Sequence, residues 1–127
     1  MPTKTQNISI IGDGGWGTTL AIHLAQKAYP VKLWGAFPEY VQQVKETRIN
    51  RKFLPGVEIP HCVEITSDLA FAVNESEILV LAVPSQFLRS VLKKIRKYNL
   101  KNKIILSVVK GIETTTLMRV SEVIKNV

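Results

Sequence analysis

Three glycines near the start of the chain, Gly12, Gly14 and Gly17, have the spacing G-x-G-x-x-G. An almost fully apolar segment over residues 7–11 predicts a buried strand before them, and helical spacing of apolar residues over 18–28 predicts a helix after them. Glycines so placed allow a tight turn, close approach of an anion to the backbone, and close packing of helix on strand. The free amides and the positive dipole end of that helix then face a phosphate. We therefore expect the turn to bind the pyrophosphate of NAD or NADP, rather than to be an ordinary glycine-rich turn.

The residues after the second predicted strand bear on the choice between NAD and NADP. In dinucleotide-binding domains a carboxylate about 20 residues beyond the glycines accepts the 2′-hydroxyl of the ribose. Here residues 31–34 are followed by Gly35, Ala36 and Phe37, and the first carboxylate, Glu39, is expected in a helix as a partner of its dipole. Without a carboxylate to repel a 2′-phosphate, the sequence permits either nucleotide. Three basic residues are candidates to hold such a phosphate if their loop folds back: Arg48, Arg51 and Lys52.

Predicted strands and helices alternate along the whole chain. Strands are predicted over 7–11, 31–34, 63–65, 78–83 and 104–108, and helices over 18–28, 38–48, 69–74, 86–97 and 116–125, with a loop over 50–62. Alternation implies right-handed crossovers and therefore an α/β fold, a Rossmann-type doubly wound parallel sheet with helices on both faces. Ligands bind such sheets outside the carboxyl ends of the strands, where the strand order reverses. The loops expected to form the site are therefore 12–17, 35–37, 83–85 and 109–111.

Length and composition indicate one domain over residues 1–127, with a hydrophobic fraction of 46% that is enough for a core. The longest apolar stretch, 78–84, is too short to cross a bilayer, so no membrane insertion is expected. A single cysteine, Cys62, excludes an internal disulfide framework and favours the cytoplasm. No metal site is expected, and His23 and His61 are expected to be structural rather than catalytic.

The net charge of +7 would attract polyanions such as nucleic acids or phosphorylated small molecules. Many of the basic residues fall in the segment 93–103, which begins on the outer face of a predicted helix. No groove-reading motif and no set of stacking aromatic residues accompanies this charge. We therefore expect no nucleic-acid partner.

Several longer motifs occur together in one order and spacing. They are Gly12-Asp13-Gly14-Gly15-Trp16-Gly17-Thr18-Thr19-Leu20-Ala21, Leu33-Trp34-Gly35, Asn50-Arg51-Lys52-Phe53-Leu54-Pro55-Gly56, Thr66-Ser67-Asp68-Leu69, Ala82-Val83-Pro84-Ser85 and Val109-Lys110-Gly111-Ile112-Glu113. With these motifs the chain resembles the N-terminal domain of the bacterial NAD(P)-dependent glycerol-3-phosphate dehydrogenases. The resemblance implies reversible reduction of a small-molecule substrate, dihydroxyacetone phosphate, to sn-glycerol 3-phosphate, a step that feeds glycerophospholipid synthesis.

The resemblance also implies roles for individual residues. Gly15, Trp16, Phe53 and Lys110 are expected to touch the cofactor, and Lys110 to meet the substrate as well. With the glycine turn included, the predicted cofactor-binding residues are Gly12, Gly14, Gly15, Trp16, Gly17, Ala36, Phe37, Phe53, Pro84 and Lys110. Two positions depart from the family: Ala36, where a basic residue or histidine often contacts the cofactor, and Asp13, where a small neutral residue is usual. We expect the Asp13 side chain to point away from the pyrophosphate.

In the family that the chain resembles, the general base is a lysine of a C-terminal helical domain, which also supplies most ligands of the substrate phosphate. We therefore predict no catalytic base within this chain and expect that domain to lie beyond Val127. The chain alone is expected to bind cofactor and to turn over almost no substrate. The sequence leaves homodimerisation open.

Three other functions are compatible with parts of the pattern. A non-catalytic NAD(P)-binding redox sensor would need the glycine turn, but neither the loop 50–56 nor a substrate-facing lysine such as Lys110. A related dehydrogenase with another hydroxyacid substrate would differ in the C-terminal domain. A basic nucleic-acid-binding protein would leave the glycine turn unexplained.

Overall fold

The computed structural model describes residues 6–109 and 119–127, in which seven strands and five helices follow one another. The strands are β1 (Ile8–Ile11), β2 (Val31–Trp34), β3 (Ile49–Asn50), β4 (Leu54–Glu58), β5 (Glu64–Thr66), β6 (Ile78–Leu81) and β7 (Ile104–Ser107). The helices are α1 (Gly15–Gln26), α2 (Pro38–Thr47), α3 (Leu69–Asn74), α4 (Ser85–Ile95) and α5 (Val120–Asn126).

Five strands of this described part form one parallel sheet in the order β5-β2-β1-β6-β7. The chain leaves β1 through α1 to reach β2 and then β5 at one edge, and it returns to place β6 on the other side of β1. The strand order therefore reverses between β1 and β6. This arrangement confirms the predicted doubly wound parallel sheet, and a ligand of such a sheet is expected at that reversal.

Two hydrophobic layers cover the opposite faces of the sheet. On one face Ile8 and Ile10 pack with residues of α1 and α2, and on the other Ile11 packs with residues of α3 and α4. Successive side chains of a strand point to opposite faces, so a strand covered on both sides is apolar nearly throughout. Because both faces of the sheet are covered, β1 and β2 are buried at every position.

Two polar side chains, those of Ser9 and Asp68, form hydrogen bonds with the backbone of α3. The buried Ser9 hydroxyl, on β1, donates a hydrogen bond of 2.6 Å to the carbonyl of Ala72 on α3. A buried hydroxyl with such a partner avoids the penalty of an unsatisfied polar group. At the start of α3 the carboxylate of Asp68 accepts a 3.1 Å hydrogen bond from the amide of Phe71. Asp68 is therefore the N-cap of α3 and satisfies an amide of its first turn.

The loop predicted over 50–62 was wrong in its first half, because β3 and β4 form an antiparallel two-stranded ribbon there. Pro55 and Gly56, which suggested a loop, both lie within β4. Both residues are exposed, and the ribbon is separate from the main sheet. A proline that would break a central strand is tolerated at such an edge.

The helix after the glycine turn also begins earlier than predicted, at Gly15 rather than Thr18. The amide of Thr18 already donates to the carbonyl of Gly14 at 3.0 Å, so three predicted cofactor residues, Gly15, Trp16 and Gly17, form the first helical turn. For the last predicted helix, residues 116–118 lie outside the described residues, and α5 corresponds to most of its remainder.

Candidate functional site

Two of the three glycines of the G-x-G-x-x-G motif, Gly12 and Gly17, join β1 to α1 at positions where no other residue fits. Gly12 has a backbone φ of 127°, and a Cβ atom there would lie 2.7 Å from the backbone of Ala82 on the neighbouring strand connection. A Cβ atom on Gly17 would collide with the carbonyl oxygen of Gly12. These two glycines therefore allow α1 to lie directly against the ends of β1 and β6.

Gly14, the remaining glycine of the motif, faces open space instead. A Cβ atom on Gly14 would meet no protein atom within 4 Å. Gly14 is the N-cap residue of α1 and supplies no side-chain cap, and no acidic residue lies in the first turn. The amides of Gly15, Trp16 and Gly17 have no acceptor among the residues that the structure describes. The turn therefore presents bare amides and the positive end of the helix dipole to whatever occupies that space.

A cleft of about 460 Å³ lies in front of this turn. Its lining residues come from the turn and from the segments that follow β6 and β7: Gly14, Gly15, Trp16, Ala82, Val83, Pro84, Ser85, Val108 and Val109. The cleft is therefore at the carboxyl ends of the strands and beside the reversal of strand order, where the fold predicts a ligand. A smaller depression of about 210 Å³ beside α2 and β3 includes no residue of the glycine turn.

The ribbon formed by β3 and β4 holds the turn through Asn50. This side chain is buried, and its amide nitrogen donates to the carbonyl of Asp13 at 2.7 Å and to the hydroxyl of Thr18 at 2.9 Å. Its amide oxygen accepts a hydrogen bond from the hydroxyl of Tyr40 on α2. Asn50 thus connects the turn, α1 and α2. The sequence did not predict Asn50 as a site residue, although Asn50 begins the segment Asn50-Arg51-Lys52-Phe53-Leu54-Pro55-Gly56.

Phe53 and Trp16 are aromatic side chains at the edge of the turn. A Cβ atom on Gly15 would lie 2.7 Å from the backbone oxygen of Phe53, so the ribbon rests on the first turn of α1. The Phe53 ring meets the ring of Tyr40 edge-on, with 6.3 Å between centroids. Trp16 is 55% exposed and Phe53 is 50% exposed, which argues against a core-packing role for either. Both rings are available for contact with a ligand.

The end of β2 carries no carboxylate, as the sequence predicts. Ala36 and Phe37 are exposed, and Glu39 lies exposed in the first turn of α2. The carboxylate nearest to this strand end comes from the glycine turn: a Cβ atom on Gly35 would lie 2.7 Å from the Cγ atom of Asp13. The Asp13 side chain is therefore directed at the end of β2, while Gly14 faces the cleft. Burial raises the pKa of the Asp13 carboxyl above its ordinary value, because desolvation disfavours the charged form.

Of the three basic residues predicted as candidate phosphate ligands, two make other contacts in the structure. The guanidinium of Arg48 donates to the carbonyls of Ile59, Pro60 and Val63, and so anchors the segment that leads into β5. Burial lowers the pKa of Arg48, since the charged form is partly desolvated. The Lys52 ammonium lies 5.6 Å from the centroid of the Tyr40 ring. Arg51 is exposed.

The remaining predicted residues divide between the cleft and the undescribed segment. Pro84 is exposed, lines the cleft and is the N-cap residue of α4. Lys110, predicted to contact both cofactor and substrate, lies outside the described residues. Val109, which precedes it in the chain, lines the cleft.

Within residues 6–109 and 119–127, no group of three or more histidine, cysteine, aspartate or glutamate side chains is arranged to hold a metal ion. No helix there has both the length and the hydrophobicity needed to span a bilayer. His61 lies 3.9 Å from Glu58 at an exposed position away from the cleft, and Cys62 is an exposed free thiol.

Comparisons with known proteins agree on one family. A family model described as "NAD-dependent glycerol-3-phosphate dehydrogenase N-terminus" matches residues 7–127. The glycerol-3-phosphate dehydrogenase, NAD(P)+, of Prosthecochloris aestuarii is 44% identical over 117 residues, which are 92% of this chain and 35% of that protein. The protein of the same name from Thermoanaerobacter sp. is 45% identical over 118 residues, which are 93% of this chain and 36% of that protein.

Solved structures give the same result for the fold. A glycerol-3-phosphate dehydrogenase from Coxiella burnetii matches with a TM-score of 0.88 and 26% identity, over 95% of this chain and 37% of that chain. One from Saccharomyces cerevisiae matches with a TM-score of 0.81 and 26% identity, over 97% of this chain and 39% of that chain. The chain therefore spans little more than a third of the length of these relatives.

Proposed function

Since this chain belongs to the family of NAD-dependent glycerol-3-phosphate dehydrogenase N-terminal domains, we propose that it binds NAD or NADP at its glycine turn. The observation that carries this proposal is the open space at Gly14. A Cβ atom there would meet nothing within 4 Å, and the amides of the next turn have no acceptor among the described residues. A pyrophosphate matches that space in charge, because anions bind where helix amides are free. A turn with only a structural role would be packed against protein atoms.

The other predicted residues have distinct parts in this proposal. Gly12 and Gly17 give the turn its shape, while Gly15 and Trp16 lie where the pyrophosphate and nicotinamide side of the cofactor would pass. Pro84 borders the same cleft from the end of β6. The residues of the proposed adenosine side are Ala36 and Phe37 after β2 and Phe53 on the ribbon. Lys110 follows the cleft residue Val109 and is proposed to contact both cofactor and substrate.

For the full-length protein we propose reversible reduction of dihydroxyacetone phosphate to sn-glycerol 3-phosphate. The bound nicotinamide would supply the hydride for the carbonyl carbon, and a proton must reach the carbonyl oxygen at the same time. A lysine ammonium beside the carbonyl, the role proposed for Lys110, stabilises the negative charge that develops on that oxygen. The relatives' names support this substrate, and the cleft at the reversal of strand order supports the place of reaction.

Delivery of that proton needs a general acid, which acts as the general base in the reverse reaction and which our site does not include. We propose that this acid–base group is a lysine other than Lys110. It lies, together with most ligands of the substrate phosphate, in a C-terminal helical domain beyond residue 127. The chain's 35% share of the relatives' length supports this division. We further propose that the whole enzyme works in the cytoplasm and feeds glycerophospholipid synthesis, as the family resemblance implies and the exposed free thiol of Cys62 allows.

Titration of the chain with NADH and NADPH, followed by nucleotide fluorescence, tests the binding proposal. We expect saturable binding of at least one nucleotide and its loss in the Gly14→Val variant, whose new methyl groups would occupy the pyrophosphate space. His23→Val is the matched control, because it places the same side chain on an exposed position of α1 away from the cleft. Binding that survives Gly14→Val unchanged, in a folded variant, would contradict the proposal.

The division between cofactor binding and catalysis is tested by the rate of dihydroxyacetone phosphate reduction. The chain alone is expected to bind cofactor and to give a rate close to zero, whereas the full-length protein is expected to turn over. Robust turnover by residues 1–127 would show that the catalytic base lies within them.

A further inference from the structure

The acidic residue of the glycine turn lies where the adenosine ribose of a dinucleotide is expected. The Cγ atom of Asp13 is 2.7 Å from the place that a Cβ atom on Gly35 would occupy, so the carboxylate fills the space that this glycine leaves free. Gly35 is buried and its amide is bonded to the carbonyl of Thr66 at 3.0 Å, which fixes the backbone at the end of β2. The carboxylate is therefore held beside the end of β2, on a part of the turn different from the open face of Gly14.

The Asp13 carboxylate has unused capacity to accept hydrogen bonds. Its own backbone amide lies close enough to favour the charged form of the carboxyl. In residues 6–109 and 119–127 no other side chain donates to it and no cation forms a salt bridge with it. The hydrogen bonds from Thr18 and Asn50 go to its backbone carbonyl instead. An ionised carboxylate accepts about four hydrogen bonds, so several positions remain for a ligand's hydroxyl groups.

The surroundings of this carboxylate favour a neutral ribose over a phosphorylated one. Ala36 supplies no cation to bind a 2′-phosphate, and Arg48 is engaged with three backbone carbonyls. Lys52 stacks on Tyr40, and the exposed Glu39 adds a second negative charge in the first turn of α2. A 2′-phosphate placed beside the end of β2 would meet the Asp13 carboxylate at close range.

From this geometry we infer that Asp13 takes over the function of the missing acidic residue at the end of β2. It accepts hydrogen bonds from the adenosine ribose hydroxyls and repels a 2′-phosphate, so that the chain binds NAD in preference to NADP. This inference rests on the proposed function, because it needs a dinucleotide in the cleft. It assigns the preference to a residue of the glycine turn rather than to the residues that follow β2.

Affinities of NADH and NADPH for three proteins test the inference: the unmodified chain, Asp13→Ala and Asp13→Asn. We expect the unmodified chain to bind NADH at least about tenfold more tightly than NADPH, since a hydrogen bond to a charged group contributes roughly 1.5–3 kcal/mol. Asp13→Ala should weaken NADH binding about tenfold without weakening NADPH binding. Asp13→Asn, which keeps the shape and one acceptor but loses the charge, should show a smaller loss for NADH and a gain for NADPH.

An NADH analogue that lacks the 2′-hydroxyl of the adenosine ribose distinguishes direct recognition of that hydroxyl by Asp13 from a change in the turn caused by the Asp13→Ala substitution. The unmodified chain should bind this analogue about as weakly as Asp13→Ala binds NADH, and Asp13→Ala should bind both equally. Equal losses for NADH, NADPH and the analogue in Asp13→Ala, or equal binding of NADH and NADPH by the unmodified chain, would overturn the inference and leave the proposed function intact. If the unmodified chain binds neither nucleotide, the proposed function fails and the inference fails with it.

Discussion

The side-chain amide of Asn50 donates a hydrogen bond of 2.7 Å to the backbone carbonyl of Asp13 across 37 positions of sequence. This bond ties the β3–β4 ribbon to the glycine turn. The carbonyl that accepts it lies between the Asp13 side chain, which is directed at the end of β2, and Gly14, which faces the cleft. The same amide group reaches Thr18 at 2.9 Å, and Tyr40 donates to its oxygen. Asn50 is therefore a positioning residue: it does not line the cleft, and it holds the turn whose residues Gly14 and Gly15 do.

Removal of this side chain is expected to weaken both the fold and cofactor binding. Asn50→Ala removes three hydrogen bonds, to the Asp13 carbonyl, the Thr18 hydroxyl and the Tyr40 hydroxyl, so we expect the free energy of unfolding to fall by roughly 1–3 kcal/mol. Nucleotide affinity should also fall for the molecules that remain folded, because the turn loses its anchor. Urea unfolding and NADH titration at low temperature measure the two effects separately.

Asn74→Ala is the matched control for this variant, since Asn74 is exposed and ends α3 far from the turn in sequence. It should change neither quantity appreciably. If Asn50→Ala lost stability but bound NADH as the unmodified chain does, Asn50 would serve the fold alone.

Local sequence patterns predicted the sheet better than they predicted the contacts of the site. The nearly continuous apolar character of β1, β2 and β6 follows from burial on both faces, so these strands and the glycine turn after β1 were recognisable. The ribbon was not, because Pro55 and Gly56 suggest a loop unless the strand is known to lie at an exposed edge. The role of Asn50 and the approach of Asp13 to Gly35 arise from contacts between residues distant in sequence, which no local pattern encodes.

The three glycines of the motif are expected to respond differently to the same substitution. Gly17→Ala places a methyl group into the carbonyl of Gly12, and Gly12→Ala adds one at a φ of 127° against the backbone of Ala82. Each should lower the free energy of unfolding by at least about 2 kcal/mol. Gly14→Ala meets no protein atom within 4 Å, so its stability should change by no more than about 0.5 kcal/mol while NADH binding falls. Urea unfolding of the three variants checks this order, and a large loss of stability in Gly14→Ala alone would contradict it.

The raised pKa of Asp13 predicts how stability depends on pH. Burial makes the folded chain hold this proton more tightly than the unfolded chain, for which the ordinary value is 3.8. In this case the contribution of Asp13 to stability decreases as pH rises from 3.8 through the folded-state pKa, and above that pKa the charged carboxylate destabilises the fold. Asp13→Asn should therefore melt at a higher temperature than the unmodified chain at pH 7. The difference should shrink as the pH is lowered toward 4, and a difference that grows on acidification would show the opposite sign of shift.

The two tryptophans of the chain provide a test of where the nucleotide binds. Trp16 is 55% exposed and lines the cleft, whereas Trp34 is 5% exposed and its indole N–H donates to the carbonyl of Ser67 at 3.1 Å. Acrylamide should therefore quench the emission of Trp16 and leave most of the emission of Trp34. Saturating NAD+, which does not itself emit, should protect Trp16 from acrylamide because the cofactor covers the cleft. In Trp16→Phe, which retains Trp34 as its emitter, acrylamide quenching should be weak with or without NAD+. Protection that persists in this variant would place the nucleotide near Trp34 and away from the first turn of α1.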